Sequence, residues 1–109
     1  MAHLDTVFDL LRSERRRHVL YYLNERDGEV PVEDVVEALT DQEADGPPST
    51  GEFEEVEVSL THVHLPKAAE AEFIEYDREE RVVNVSGTPP GYDAIVTIAE
   101  VIDAADDVD

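Results

Sequence analysis

The order in which the apolar pattern changes along the chain most constrains its fold. Apolar side chains recur at helical spacing in four segments and predict four helices, at residues 3–11, 14–24, 32–40 and 92–104. Residues 74–76 and 81–85 are rich in β-branched or aromatic residues, and the polar turn between them predicts a hairpin. The pattern therefore predicts a mainly α-helical chain with a small β-hairpin, an α+β fold.

The segment of residues 52–65 fits two patterns. Val56, Val58 and Leu60 alternate as in a strand, whereas Val56, Leu60 and Val63 match the spacing of a helix. Periodicity alone leaves both structures open.

The charge of the chain is a second constraint. It carries 28 acidic and eight basic residues, a net charge of −20, and Lys67 is its only lysine. Such self-repulsion opposes a compact state at ordinary ionic strength, but at molar salt the Debye length falls to about 3 Å and the repulsion is largely screened. An acidic, lysine-poor chain with clear apolar periodicity predicts a folded protein of a halophilic cell rather than a disordered acidic segment.

Two stretches resemble parts of ArsR-like winged-helix regulators. Leu4–Leu23, LDTVFDLLRSERRRHVLYYL, resembles their opening, and His62–Tyr76, HVHLPKAAEAEFIEY, resembles the end of their recognition helix and the start of the wing. The region from Leu4 to Val85 is also similar to a family of small haloarchaeal winged-helix proteins of unestablished function. The resemblance implies that residues 52–65 are mainly helical and that the fold is a winged helix-turn-helix with an additional C-terminal helix.

The breakers of the chain predict its division. We expect a winged-helix domain at residues 1–88, a C-terminal helix at residues 89–105 and a frayed acidic tail at residues 106–109. Residues 41–51 are rich in turn formers and predict a long loop.

The resemblance implies a DNA-binding transcriptional regulator with double-stranded DNA as its partner. The candidate contacts are polar and basic side chains near the recognition helix, the wing turn and the one basic cluster: Arg15, Arg16, Arg17, Thr61, His62, His64, Lys67, Arg78 and Arg81. Structural alternatives stay open for several of them. The clustered arginines could pair with surrounding carboxylates, His64 could be a core residue, and Arg78 and Arg81 could form cross-strand pairs.

The absence of Lys and Arg between Arg26 and Lys67 favours a second hypothesis. A winged-helix domain that has lost DNA binding would be a protein–protein interaction module. Val56, Leu60 and Val63 would then form an exposed apolar face for a protein partner.

The last predicted helix carries Ile95, Ile98 and Ile102 on one stripe. This stripe either covers the core of its own chain or pairs with a second copy. Since winged-helix regulators commonly dimerise through terminal helices, the resemblance favours a homodimer.

The sequence gives no support to several other function classes. It contains no cysteine, no signal-peptide pattern and no run of about 20 apolar residues, so we expect a cytoplasmic protein without a membrane partner. No serine lies in a nucleophile motif and no glycine-rich phosphate loop is present, so we assign no catalytic residue, no cofactor and no enzyme activity. His62 and His64 would share a face only on a strand, and on a helix they point apart, so we assign no metal site.

Overall fold

The computed structural model describes residues 3–106. The helices are α1 (His3–Leu11), α2 (Glu14–Asn24), α3 (Val32–Glu43), α4 (Thr50–Ser59), α5 (Leu65–Ala68) and α6 (Tyr92–Asp106), and a π-helical turn (Leu60–His64) joins α4 to α5. The strands are β1 (Val30–Pro31), β2 (Ile74–Asp77) and β3 (Val82–Val85). The predicted α+β class is confirmed, and the predicted hairpin, β2 and β3, lies between α5 and α6.

The three strands form one antiparallel sheet in the order β1-β3-β2. In the hairpin, Ile74 pairs with Val85 and Tyr76 pairs with Val83, while Val30 pairs with Val83 from the other side. The sheet therefore joins the hairpin to the start of α3, because β1 runs directly into that helix.

Two serines begin long helices by capping them. The side chain of Ser13 accepts a hydrogen bond from the backbone N–H of Arg16, at the start of α2. Ser49 and Glu52 form a reciprocal capping box at the start of α4. Because α3 extends to Glu43 and α4 begins at Thr50, the loop between them covers only residues 44–49 and is shorter than the sequence predicts.

The core lies between α2, α3, the helix of residues 50–68 and the sheet. Its largest fully buried side chains include Leu20, Leu39, Leu60, Leu65, Val32, Val35 and Val83. On α1 the buried residues are Val7 and Leu10, whereas Leu4 and Phe8 are 54% and 52% exposed. The stripe predicted for α1 is therefore only partly directed toward the core.

Residues 50–68 form one continuous helix whose middle is π-helical. The helical structure predicted for residues 52–65 is confirmed, but the π turn was not expected. Pro66 has no N–H, and its ring clashes with the carbonyl four residues earlier in a regular α-helix. In the π turn, the N–H of Leu65 instead donates to the carbonyl of Leu60, five residues back. The helix continues to Ala68.

The last helix, α6, packs against the core near its start. Tyr92 and Val96 are buried there, and the rings of Phe73 and Tyr92 meet edge to face with their centroids 5.1 Å apart. Burial raises the pKa of Tyr92 to about 12. The helix continues to Asp106, two residues beyond the predicted end, and the rest of the predicted acidic tail lies outside the described residues.

Candidate functional site

The basic side chains are the first candidates, and seven of the eight are engaged within the chain. They contact carboxylates, backbone carbonyls or an aromatic ring: Arg12, Arg15, Arg16, Arg17, Arg26, Lys67 and Arg81. Arg78, in the hairpin turn, has no hydrogen-bond or ion-pair partner among residues 4–106. The described chain therefore presents no basic stripe.

Arg16 lies under the end of α1 and not on the DNA-facing surface that the resemblance implies for it. Its Nε donates to the carbonyl of Leu10 at 2.8 Å and its Nη2 to the carbonyl of Asp9 at 2.7 Å. These carbonyls belong to the last turn of α1, which has no intrahelical donors for them. The side chain is 8% exposed, and burial lowers the pKa of its guanidinium. Arg16 thus stabilises the junction of α1 and α2.

Arg15 joins three helices through two glutamates. Its Nε and Nη2 donate to Glu43, at the end of α3, at 2.9 and 2.5 Å, and Nη2 also lies 3.2 Å from Glu55 on α4. The hydrogen bonds to Glu43 raise the pKa of Arg15, against the opposing effect of burial. The carboxylate pairing that the sequence left open for this arginine is the arrangement that the structure shows.

Arg17 attaches the end of α6 to α2. Its Nε donates to Asp103 at 2.9 Å, its Nη1 donates to the carbonyl of Leu11 at 2.8 Å, and the hydroxyl of Tyr21 donates to Asp103 at 2.6 Å. The hydrogen bond from Arg17 holds the pKa of the Asp103 carboxyl below its usual range, and Tyr21 adds to this while burial opposes it. The ends of α1 and α6 therefore meet at one arginine.

Arg81, the residue before β3, ties the hairpin to α3 and α4. Its Nε donates to Glu33 at 2.7 Å and its Nη2 donates to Glu57 at 2.5 Å, and both bonds raise its pKa. Its φ is 56°, a left-handed conformation that is uncommon for residues other than glycine. Both partners lie on helices, so Arg81 does not form the cross-strand pair that the sequence left open.

The remaining polar candidates lie on or beside the helix of residues 50–68. Lys67 lies 3.4 Å from both Asp9 and Glu70. The hydroxyl of Thr61 donates to a backbone carbonyl one turn earlier in its own helix. His62 is exposed.

His64 is half-buried and faces the interior of the protein. Its Nδ1 is buried without a hydrogen-bond partner in the described part of the chain. Burial lowers the pKa of its imidazole, and the nearby charges of Arg16 and Arg15 lower it further. His64 therefore lies against the core, but it is not the fully hydrogen-bonded core histidine that the structural alternative implies.

The face expected for a protein partner on the helix of residues 50–68 needs a correction. Val56 and Leu60 are 3% and 0% exposed and belong to the core, so the expectation that they line an exposed face is wrong. Val63, the third member, is 56% exposed, as is Val58. The π turn explains the difference, because it brings Leu60 and Leu65, five residues apart, to the same buried side.

Among the described residues, a set of five of the seven exposed large apolar side chains is carried by the first and last helices. We call it the α1–α6 surface, and its members, 52% to 63% exposed, are Leu4, Phe8, Ile98, Val101 and Ile102. Ile95, which the sequence places in a dimer interface, instead packs against the core. The predicted interface residues Ile98 and Ile102 are exposed.

Val101 of the α1–α6 surface and the acidic partners of the arginines were not identified from the sequence. Val101 follows Ile98 at helical spacing, so the pattern could have added it to the stripe. The acidic partners of the arginines gave no such signal, since Asp103 lies 86 residues from Arg17 in a chain that is acidic throughout.

The described residues contain neither a metal-binding cluster nor a membrane-spanning helix. No group of three His, Asp or Glu residues among them is arranged to hold a metal ion. No helix of that part of the chain is long and apolar enough to cross a membrane.

Comparison with known proteins places the chain in a family. No curated protein and no solved structure matches it significantly. Residues 8–84, which extend from α1 into β3, match the family described as a domain of unknown function, DUF7344. The match covers well over half of the 109 residues and ends before α6. The chain therefore belongs to the DUF7344 family.

Proposed function

We propose that this chain is a small winged-helix interaction module that self-associates through the α1–α6 surface. The observation that carries the proposal is the group of five large apolar side chains exposed on two helices whose ends meet at Arg17. Exposed apolar groups of this kind mark interaction sites more often than isolated apolar residues do. A second copy of the chain presents the same two stripes, as a two-fold interface requires.

The winged-helix interpretation is supported by the arrangement of the elements. The third helix, α3, is followed by a long helix and then by the β2–β3 hairpin, and β1 extends the hairpin into a small sheet. Arg81 holds the hairpin against α3 and α4. This order and these contacts agree with the resemblance to winged-helix regulators.

The charge of the chain sets the conditions under which the module assembles. Two copies that each carry −20 repel each other at ordinary ionic strength. Molar salt screens this repulsion and strengthens apolar association. A halophilic cell interior, which the composition favours, would supply those conditions.

Sedimentation in molar potassium chloride tests the self-association. Wild-type protein is expected to sediment as a dimer, whereas a double variant with Ile98→Glu and Ile102→Glu is expected to be a folded monomer. The double variant with Val58→Glu and Val63→Glu is the matched control, because it places the same two charges on apolar residues of similar exposure on another helix. A monomeric wild type, or a dimer that survives the α6 changes, would refute the proposal.

DNA-binding transcriptional regulation is the second candidate function. Arg78 is exposed in the hairpin turn without an intramolecular partner among the described residues, and His62 is exposed on the helix of residues 50–68. In molar salt, counterion release contributes little to affinity, so an acidic surface is less of an obstacle than usual.

Retention of fragmented host DNA by the protein in molar potassium chloride tests this second candidate. Arg78→Glu is expected to abolish enrichment of discrete sites, whereas Arg12→Glu, another exposed arginine, is expected to preserve it. No enrichment with the folded wild-type protein would exclude sequence-specific DNA binding.

A further inference from the structure

The outward side of the helix of residues 50–68 carries a stripe that the α1–α6 surface does not include. Glu54, Val58 and His62 follow one another at intervals of four residues, and Val63 lies beside His62. All four are exposed, and the two valines are each 56% exposed. We call these residues the α4 stripe. It combines apolar side chains with an acidic one on a single helix face.

The surroundings of the α4 stripe are negatively charged. Arg15 and Arg81, which reach α4 from either side, each lie between two glutamates, so each arginine neutralises only one carboxylate of its pair. Glu54 has no basic side chain within 4 Å in the described part of the chain. At ordinary ionic strength this face therefore attracts cationic groups and repels DNA phosphates and a second copy of this acidic chain. Molar salt screens both effects, so that mainly groups in direct contact with the carboxylates still interact.

We propose that the α4 stripe binds a basic amphipathic helical segment of a partner protein. Apolar residues of the segment would cover Val58 and Val63, and its lysines or arginines would lie against Glu54 and the neighbouring carboxylates. Amphipathic helices are commonly recognised by apolar anchors of this spacing, with charged groups at the rim. The inference rests on the proposed interaction role, but it concerns a separate surface and a different partner.

The test is an NMR titration of the full chain in moderate and in molar salt. The probe is an 18-residue peptide made only of leucine and lysine, with leucines at the spacing of one helix face. Backbone shifts are expected to concentrate between residues 54 and 63. Val58→Ser is expected to weaken binding about tenfold or more, and Glu54→Gln is expected to weaken it less. Val101→Ser, which removes a similarly exposed valine from α6, is the matched control and is expected to leave affinity unchanged.

Three results would overturn the proposal. One is the absence of binding, another is a shift pattern centred on α1 and α6, and the third is equal weakening by Val58→Ser and Val101→Ser. Stripe shifts produced by a DNA duplex in place of the peptide would assign the face to DNA. Self-association is measured separately by sedimentation, so peptide binding to a monomeric chain would support this inference while refuting the proposed dimer.

Discussion

The helix of residues 50–68 and α6 both carry more apolar side chains than one core-facing stripe needs, and they accommodate them differently. In the helix of residues 50–68, the π turn changes the phase of the backbone, so Val56, Leu60 and Leu65 all reach the core. In α6, which is α-helical throughout, Val96 reaches the core while Ile98 and Ile102 remain exposed. Surplus apolar residues in a sequence can therefore be buried through a local change of helix type or left exposed for a partner.

The attachment of the two helices differs as well. The helix of residues 50–68 is fixed mainly by apolar burial, whereas the end of α6 is held by the polar contacts of Asp103 with Arg17 and Tyr21. Apolar burial of whole side chains contributes more free energy than partly exposed ion pairs do. Substitutions should therefore affect the two helices by different amounts.

The largest effect is expected for Leu60→Ala. Leu60 is 0% exposed, so its truncation should lower the free energy of unfolding by about 2–5 kcal/mol. Val58→Ala, on the exposed side of the same helix, should change it by no more than about 0.5 kcal/mol. Urea unfolding in molar potassium chloride measures both. Similar costs at the two positions would contradict the π-helical arrangement.

A smaller effect is expected for Asp103→Asn. The change removes the charge that accepts hydrogen bonds from Arg17 and Tyr21, and should lower the free energy of unfolding by about 1 kcal/mol. Hydrogen exchange should show the loss of protection concentrated in the second half of α6. Loss of protection spread equally over residues 50–68 would show that the two helices are not attached independently.

The pH dependence of stability sharpens the same contrast. The folded-state pKa of Asp103 is lowered mainly by Arg17, and that of Glu33 is lowered mainly by Arg81. A lowered carboxyl pKa gives stabilisation that is fully present above the unfolded value of about 4 and is lost as pH falls through the folded value. The Tm of the wild type in molar salt should therefore fall below about pH 4. Asp103→Asn should fall less steeply, and an identical slope would remove Asp103 from this account.

The smallest effect on stability is expected for Ile102→Ser. Ile102 is 57% exposed, so the monomer should lose no more than about 0.5 kcal/mol of unfolding free energy. Self-association should nevertheless weaken, since the substitution removes apolar area from the α1–α6 surface. Unfolding is measured at protein concentrations at which the chain is monomeric, and sedimentation at concentrations at which it dimerises. The two effects are thereby separated. A large loss of monomer stability would show that Ile102 belongs to the core.

Much of the fold could be predicted from the sequence because its helices and hairpin have strong local signals. The structure of residues 52–65 could not be resolved in this way. Val56 and Leu60 share a buried side of the helix with Leu65 and Ala68 only because the π turn rotates the later residues relative to the earlier ones. The steps of four, five and three residues between Val56, Leu60, Leu65 and Ala68, with Pro66 after the long step, are the local trace of that turn.

The functional side chains were harder to predict than the fold. The positions of the arginines depend on carboxylates that are distant in sequence, and an acidic chain offers each arginine many possible partners. The burial of Arg16 depends on the close junction of α1 and α2, which no periodicity encodes. Exposure of Ile98 and Ile102 could be anticipated only as one of two alternatives, because a stripe alone does not reveal whether it faces the core or a partner.

The most direct test of the central contrast is the solvent accessibility of methyl groups, measured by NMR with a soluble paramagnetic agent in molar potassium chloride. The methyls of Ile98, Val101 and Ile102 are expected to become protected as protein concentration rises. Those of Val58 and Val63 should stay accessible, and those of Leu60 should be protected throughout. Methyls of α6 that remain accessible at every concentration, or an accessible Leu60, would contradict the account.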